Sequence, residues 1–149
     1  MSDLETALIQ LQCELVAERN LVNPNGLSWL QYDILNLLRQ KGPASPSQLS
    51  EQLHIRPSKF SKVIKELKQK DYITQAVNQE DGRGLLTSLT ETGLDFLRTV
   101  DAGHTFLYKT AAQNFSSEEQ QLFTQLANKL ILALEEERSR KQWRQQSIS

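Results

Sequence analysis

The densest chemistry in the sequence is electrostatic. Between residues 56 and 70, Arg56, Lys59, Lys62, Lys65, Lys68 and Lys70 stand against the single acid Glu66. That stretch carries +5 in a chain of net charge −1, so the remainder carries −6. Lysines gathered in this way bind phosphates, and serines set among them can hydrogen-bond to base edges. Wound as a helix, Phe60, Val63, Ile64 and Leu67 share one arc, which faces a core. Ser58, Ser61, Lys62, Lys65, Lys68 and Gln69 fall on the other side. A second charged feature follows in "EDGRGLL", where Arg83 stands between Gly82 and Gly84, with Asp81 close by. The glycines let such a turn approach a phosphate backbone, and a narrow minor groove attracts guanidinium. Asp81 can steady Arg83 by a charge-assisted hydrogen bond.

Other chemistry is poorly supplied. His54 and His104 are isolated, and the lone Cys13 has no partner for an internal disulfide. No histidine or cysteine spacing suits zinc, and the glycines at 82 and 84 sit in a hairpin rather than in a phosphate loop between strand and helix. The expectation is a non-enzyme with no cofactor and no metal. Neither an apolar secretory stretch after Met1 nor a bilayer-length uncharged run is present, which predicts a cytoplasmic protein without a membrane partner.

The elements that must position the charges can be read from local signals. The 149 residues suit one ordinary domain. Leu4, Leu8, Leu11 and Leu15 repeat at helical spacing, and Ile9, Cys13 and Val16 form a second stripe, so the first helix has two apolar faces. Pro24 and Gly26 break it. A second helix starts at the cap Ser28 and ends at Gly42, with Leu30, Ile34, Leu37 and Leu38 inward. Ser45 and Gln48 make a capping box with Pro46 in the first helical position, opening a third, short helix to about Leu53. The basic helix runs from Pro57 to Lys70. "YITQAVN" and "LLTSLT" are strand-like, and the polar segment between them is a hairpin tip. Thr90 then caps a long helix whose apolar positions include Leu94, Leu97, Val100, Leu107 and Ala111. A short helix followed across a tight turn by a basic one, then a two-stranded hairpin, predicts a winged helix-turn-helix with the basic helix in the DNA major groove.

Asp81, Arg83, Leu89, Thr90 and Gly93 match the D-x-R, L-T-x-x-G pattern of the MarR (multiple antibiotic resistance regulator) transcription factors, and the element order from Leu4 onward resembles theirs. The resemblance implies a mainly α (α+β) fold: a winged helix-turn-helix with long amino- and carboxy-terminal dimerisation helices. It also implies a homodimer that binds double-stranded DNA, usually as a repressor, and that is often released by a small phenolic or lipophilic effector. Carried onto this sequence, Ser58, Lys59, Ser61, Lys62 and Lys65 would meet DNA from the recognition helix and Arg83 from the wing. The chain departs from the family where it carries Gly82 in place of a frequent second basic residue, His54 where glycine is common, and Arg56 where a small capping residue is common.

The expected division is residues 27–90 for the winged domain, 1–26 and 91–146 for the dimerisation region, and 147–149 for a frayed tail. Ser116 caps the last helix, with Glu118 and Glu119 in its first turn and Leu122, Leu126, Leu130, Ala133 and Leu134 as its stripe. Together with the two-faced first helix this is more apolar surface than one winged domain needs, and a twofold partner would bury it. An effector pocket between the two regions could include Trp29, Tyr32, His104 and Tyr108, although such residues are more often simple packing. Cys13 lies on an apolar stripe, which predicts a small buried hydrophobe rather than a redox switch. Two functions stay open: an effector-responsive repressor, and a winged-helix module whose lysine helix binds an acidic protein instead of DNA.

Overall fold

The computed structural model describes residues 1–22, 27–78 and 84–148, with side chains to residue 141. The element order is α1 (Asp3–Leu21), α2 (Trp29–Lys41), α3 (Pro46–Leu53), α4 (Pro57–Gln69), β1 (Ile73–Val77), β2 (Leu85–Leu89), α5 (Glu91–Gly103), α6 (Thr105–Asn114) and α7 (Ser117–Ile148). Starts are capped as the sequence predicts. Ser28 and Ser45 accept from the backbone N–H groups of Gln31 and Gln48, whose side chains reach back in capping boxes, and Ser116 accepts from Glu119. α1 starts with a further box, Ser2 with Glu5.

β1 and β2 pair antiparallel with Ile73 opposite Leu89 and Val77 opposite Leu85. An isolated bridge from Ala44 to Thr87 ties the α2–α3 connection to the hairpin, with Thr87 N–H donating to Ala44 at 2.8 Å and Ala44 N–H to Thr87 at 3.0 Å. Thr87 is fully buried, and its hydroxyl accepts from Gln75 Nε2 at 3.0 Å, so this interior polar group is satisfied.

The core lies in α2 to α5. Ile34, Leu35, Leu49, Leu67 and Leu97 are wholly buried, and Tyr32, Leu38, Phe60, Val63, Ile64, Ile73 and Val100 join them. The four apolar residues of α4 face this core as expected; on α2, Leu35 is buried while Leu30 and Leu37 are only half-buried.

The sequence pattern L-T-x-x-G acquires a physical meaning here. Thr90 Oγ1 accepts from Gly93 N–H at 3.0 Å and donates to the Asp71 carbonyl at 2.5 Å, while Thr90 N–H donates to the Tyr72 carbonyl at 3.1 Å. A Cβ at Gly93 would lie 2.3 Å from the Tyr72 carbonyl oxygen, so only glycine lets α5 dock this closely. The motif thus holds α5 against the root of the hairpin.

Two expectations change. The single long helix expected after Thr90 breaks at His104 into α5 and α6. At the break Gly103 packs on Val22, where a Cβ would sit 2.6 Å from Cγ1 of that valine. Leu97 and Val100 are therefore core, whereas Leu107 beyond the break is exposed. Cys13 is exposed rather than buried, because α1 lays no side chain into the core of its own chain. α7 runs to Ile148.

Candidate nucleic-acid interface

α4 separates its chemistry cleanly. Its apolar arc is buried, while Ser58, Lys59, Ser61, Lys62, Lys65 and Lys68 are exposed on the opposite arc. The one acid of the helix is engaged by a neighbouring element: Glu66 is half-buried and accepts from Gln31 Nε2 at 2.7 Å. Among the described residues no ion pair engages Lys59, Lys62, Lys65 or Lys68.

Two elements aim this face. The α3–α4 turn passes through His54, which adopts the left-handed conformation (φ 58°, ψ 47°) that glycine occupies without strain. Pro57 then starts α4 without a side-chain cap from Arg56. On the other flank, β1 and β2 stand beside α4 and leave a groove of about 540 Å³ between Ser61, Lys65 and Lys68 of the helix and Gln75 and Leu85 of the hairpin. At the loop end of the hairpin Asn78 N–H donates to the Gly84 carbonyl, 3.1 Å, with Gly84 at φ 76°. Arg83 and its expected partner Asp81 lie outside the described residues, as does Gly82. A helix about 10–12 Å across fits a major groove about 12 Å wide, with the hairpin flanking it.

A second cluster sits where the winged domain meets the terminal helices. Trp29 and Tyr32 meet edge to face at 5.4 Å, and His104 lies 5.9 Å from each ring. Three of the four expected pocket residues therefore come together. Tyr108 does not join them; it is 70% exposed on α6, beyond the helix break. Burial pushes the Tyr32 hydroxyl above the ordinary tyrosine range, and the Asp101 carboxylate adds to that effect. Sequence reasoning missed the charges around this cluster. Arg19 pairs with Asp33 at 2.6 Å, and Arg39 grips Asp101 through two bonds of 2.5 and 3.2 Å, tying α2 to α5. No local spacing marks these pairs, because each joins two elements. Among the described residues no cluster of side chains could hold a metal ion, and no helix is long and apolar enough to cross a membrane.

Basic helix, preceding short helix and flanking hairpin define a winged helix-turn-helix DNA-binding protein. A model of the MarR family matches residues 25–84, a segment that takes in α2, α3, α4 and the first strand of the hairpin. The HTH-type transcriptional regulator Mb0904 of Mycobacterium bovis is 30% identical over 99 residues, covering 66% of this chain and 67% of that protein. The chain belongs to the MarR family of transcriptional regulators. Its fold is similar to that of the transcriptional regulator PA4135, with a TM-score of 0.70 at 23% identity over 87% of this chain and 96% of the other. It is also similar to BpsR of Bordetella bronchiseptica, a protein whose DNA binding is regulated by 6-hydroxynicotinic acid; there the TM-score is 0.66 at 19% identity over 87% and 98% of the two chains.

Proposed function

We propose that this MarR-family regulator is a cytoplasmic, non-enzymatic homodimeric repressor that binds an inverted-repeat operator and is released by a small lipophilic effector. The observation that carries the DNA-binding half is the α4 face: exposed lysines that no ion pair among the described residues engages, on a helix whose other side is anchored in the core. In this reading Lys59, Lys62 and Lys65 meet phosphates, Ser58 and Ser61 reach base edges, and Arg83, steadied by Asp81, enters the adjoining minor groove. The groove beside Lys65 and Lys68 accommodates the sugar-phosphate strand that runs between helix and wing.

Support for the homodimer comes from the terminal helices. Leu4, Leu8, Leu11 and Leu15 on α1, Phe106 and Leu107 on α6, and Leu122, Leu126 and Leu130 on α7 are all exposed in the single chain. A surface this apolar and this extended marks an interface, and a twofold partner presents the same helices in return. Twofold symmetry sets two recognition helices about one DNA turn, roughly 10 bp, apart. The Trp29, Tyr32 and His104 cluster, at the junction of the two regions, is the place where an effector would alter their relative position.

Selection of bound duplexes from a random DNA pool at physiological salt tests the reading. The expected product is an enriched inverted repeat. Lack of enrichment, with retained salt-dependent binding to acidic proteins, would overturn it in favour of a protein-contact module, since only base readout separates duplexes of equal charge. On the selected operator, Arg83→Ala weakens binding; unchanged affinity removes the wing from the interface.

A further inference from the structure

Gln31 is a buried polar side chain, 6% exposed, with both ends of its amide engaged. Its Oε1 accepts from the Ser28 backbone N–H at 2.9 Å, the return half of the α2 capping box, and its Nε2 donates to Glu66 Oε2 on α4 at 2.7 Å. The Ser28 N–H can only donate and the Glu66 carboxylate can only accept, so the two ends of the amide cannot be exchanged. A capping box is served by glutamate as well as by glutamine at this position. Only glutamine can also face a carboxylate, because a glutamate would set two anions against each other. The residue type therefore answers a demand of α4 as well as of α2.

That demand concerns the charge of Glu66. It is the one acid of the basic helix, and it follows Lys62 by one helical turn and Lys59 by two, so the three share an edge of α4. A carboxylate one turn from a lysine is within pairing reach of it. No such pair forms here: among the described residues no ion pair engages Lys59 or Lys62, and Glu66 is bound to Gln31 instead.

We propose that Gln31 is a positioning residue for DNA binding, which holds the Glu66 carboxylate on α2 and so keeps Lys62 available to a phosphate. Released, Glu66 would pair with Lys62, removing one cation from the face, and would add a negative charge to the edge that meets the DNA. Gln31 itself is buried and acts through Glu66. This positioning role rests on the DNA-binding reading of α4 given above; the Gln31–Glu66 bond does not.

The test exchanges the two residue types in the full chain. Gln31→Glu keeps the side-chain size and the acceptor for Ser28 but repels Glu66. Combined with Glu66→Gln, it restores one amide–carboxylate bond in the reverse sense. Urea unfolding followed by circular dichroism should show a lower midpoint for Gln31→Glu and a recovered one for the exchanged pair. Anisotropy on the selected operator, repeated at several salt concentrations, reads the positioning role. Gln31→Glu should weaken binding about tenfold and lower the salt slope by about one, the mark of one lost phosphate contact. The exchanged pair should bind within about threefold of the wild-type chain, and in a Lys62→Ala background Gln31→Glu should cost only about threefold, because the lysine that Glu66 would capture is gone.

A lowered midpoint with operator affinity unchanged would separate the bond from DNA binding and overturn the proposal. So would an exchanged pair that regains stability but not affinity. A third contrary result is Glu66→Gln alone tightening operator binding about tenfold, since the carboxylate would then already oppose DNA in the wild-type chain. If Gln31→Glu does not fold, the exchanged pair and Glu66→Gln decide between the same outcomes. A wild-type chain that binds no operator defeats the DNA-binding reading and the positioning role with it, and leaves the midpoint result for the Gln31–Glu66 bond standing.

Discussion

The stretch from α2 to α5 and the helices that flank it are built on opposite principles. Every buried hydrophobic residue among those described belongs to the first region, from Leu27 to Val100. α1 and α6 bury none, and on α7 Leu122 and Leu126 are each 56% exposed. The winged region satisfies itself: its apolar arcs converge, its interior Thr87 is hydrogen-bonded, and Gly93 lets α5 close over the hairpin root. The terminal helices are equally periodic but have no core of their own, so their stripes require another surface. Periodicity therefore announces burial without saying in which chain it happens. The line between the two regimes falls at His104, inside what reads in sequence as one helix.

The comparison can be broken most forcefully in the winged core. Leu67→Ala removes a wholly buried side chain and should cost about 2–5 kcal/mol in urea unfolding. A loss below 1 kcal/mol would show that α4 is not anchored as described. Paired charges in the terminal stripe, Leu126→Glu with Leu130→Glu, should instead act on assembly. Sedimentation velocity is expected to show a monomer, with the far-ultraviolet helix signal of the winged region kept; a dimer of unchanged affinity would mean that α7 faces something other than a second copy.

Charge on α4 is the next lever. Lys62→Ala and Lys65→Ala should each lower affinity for all duplexes and reduce the salt slope by about one, because each removes one phosphate contact. Their stability should stay within about 0.5 kcal/mol, since both side chains are exposed. Loss on a single sequence alone would make them base readers. His54→Gly should raise stability by about 1 kcal/mol, because glycine occupies the left-handed conformation of the α3–α4 turn without the side-chain clash. Calorimetry that finds this variant less stable would point to an unrecognised role for the imidazole.

The smallest effect concerns the start of α7. Hydrogen bonds from Ser116, its backbone N–H first, hold the Glu119 carboxyl below its ordinary value of 4.5. The folded state thus favours the ionised form: the stabilisation is complete above the unfolded value and is lost as pH falls through the lowered one. Ser116→Ala should move the Glu119 titration upward in a carboxyl-detected NMR experiment by removing the hydroxyl, although the backbone bond remains. An unmoved titration would assign the whole shift to the backbone.

Much of the interface was legible because its signals are local. A capping box needs only a serine and a glutamine three residues apart, as at Ser45 and Gln48, and the two faces of α4 follow from the helical repeat. The hairpin strands were bounded by polar residues, and Thr90 announced α5. Illegible were contacts made by residues far apart in the chain. Nothing near Glu66 marks it as the partner of Gln31, so its engagement emerges only when α2 and α4 pack. The same holds for the Ala44–Thr87 bridge and for the Arg39–Asp101 pair. Tyr108 was placed in the aromatic cluster by residue type, but the break at His104 carries it away.

By itself, then, the sequence determined the order and type of the elements, the basic character of α4 and the surplus of apolar helix at both ends, because each is settled by neighbours within a turn or two of chain. Only the tertiary structure decided where the long helix breaks, which residue engages Glu66 and which arginine lies over the Trp29 and Tyr32 rings. Those outcomes depend on distances between elements, which side-chain periodicity does not encode.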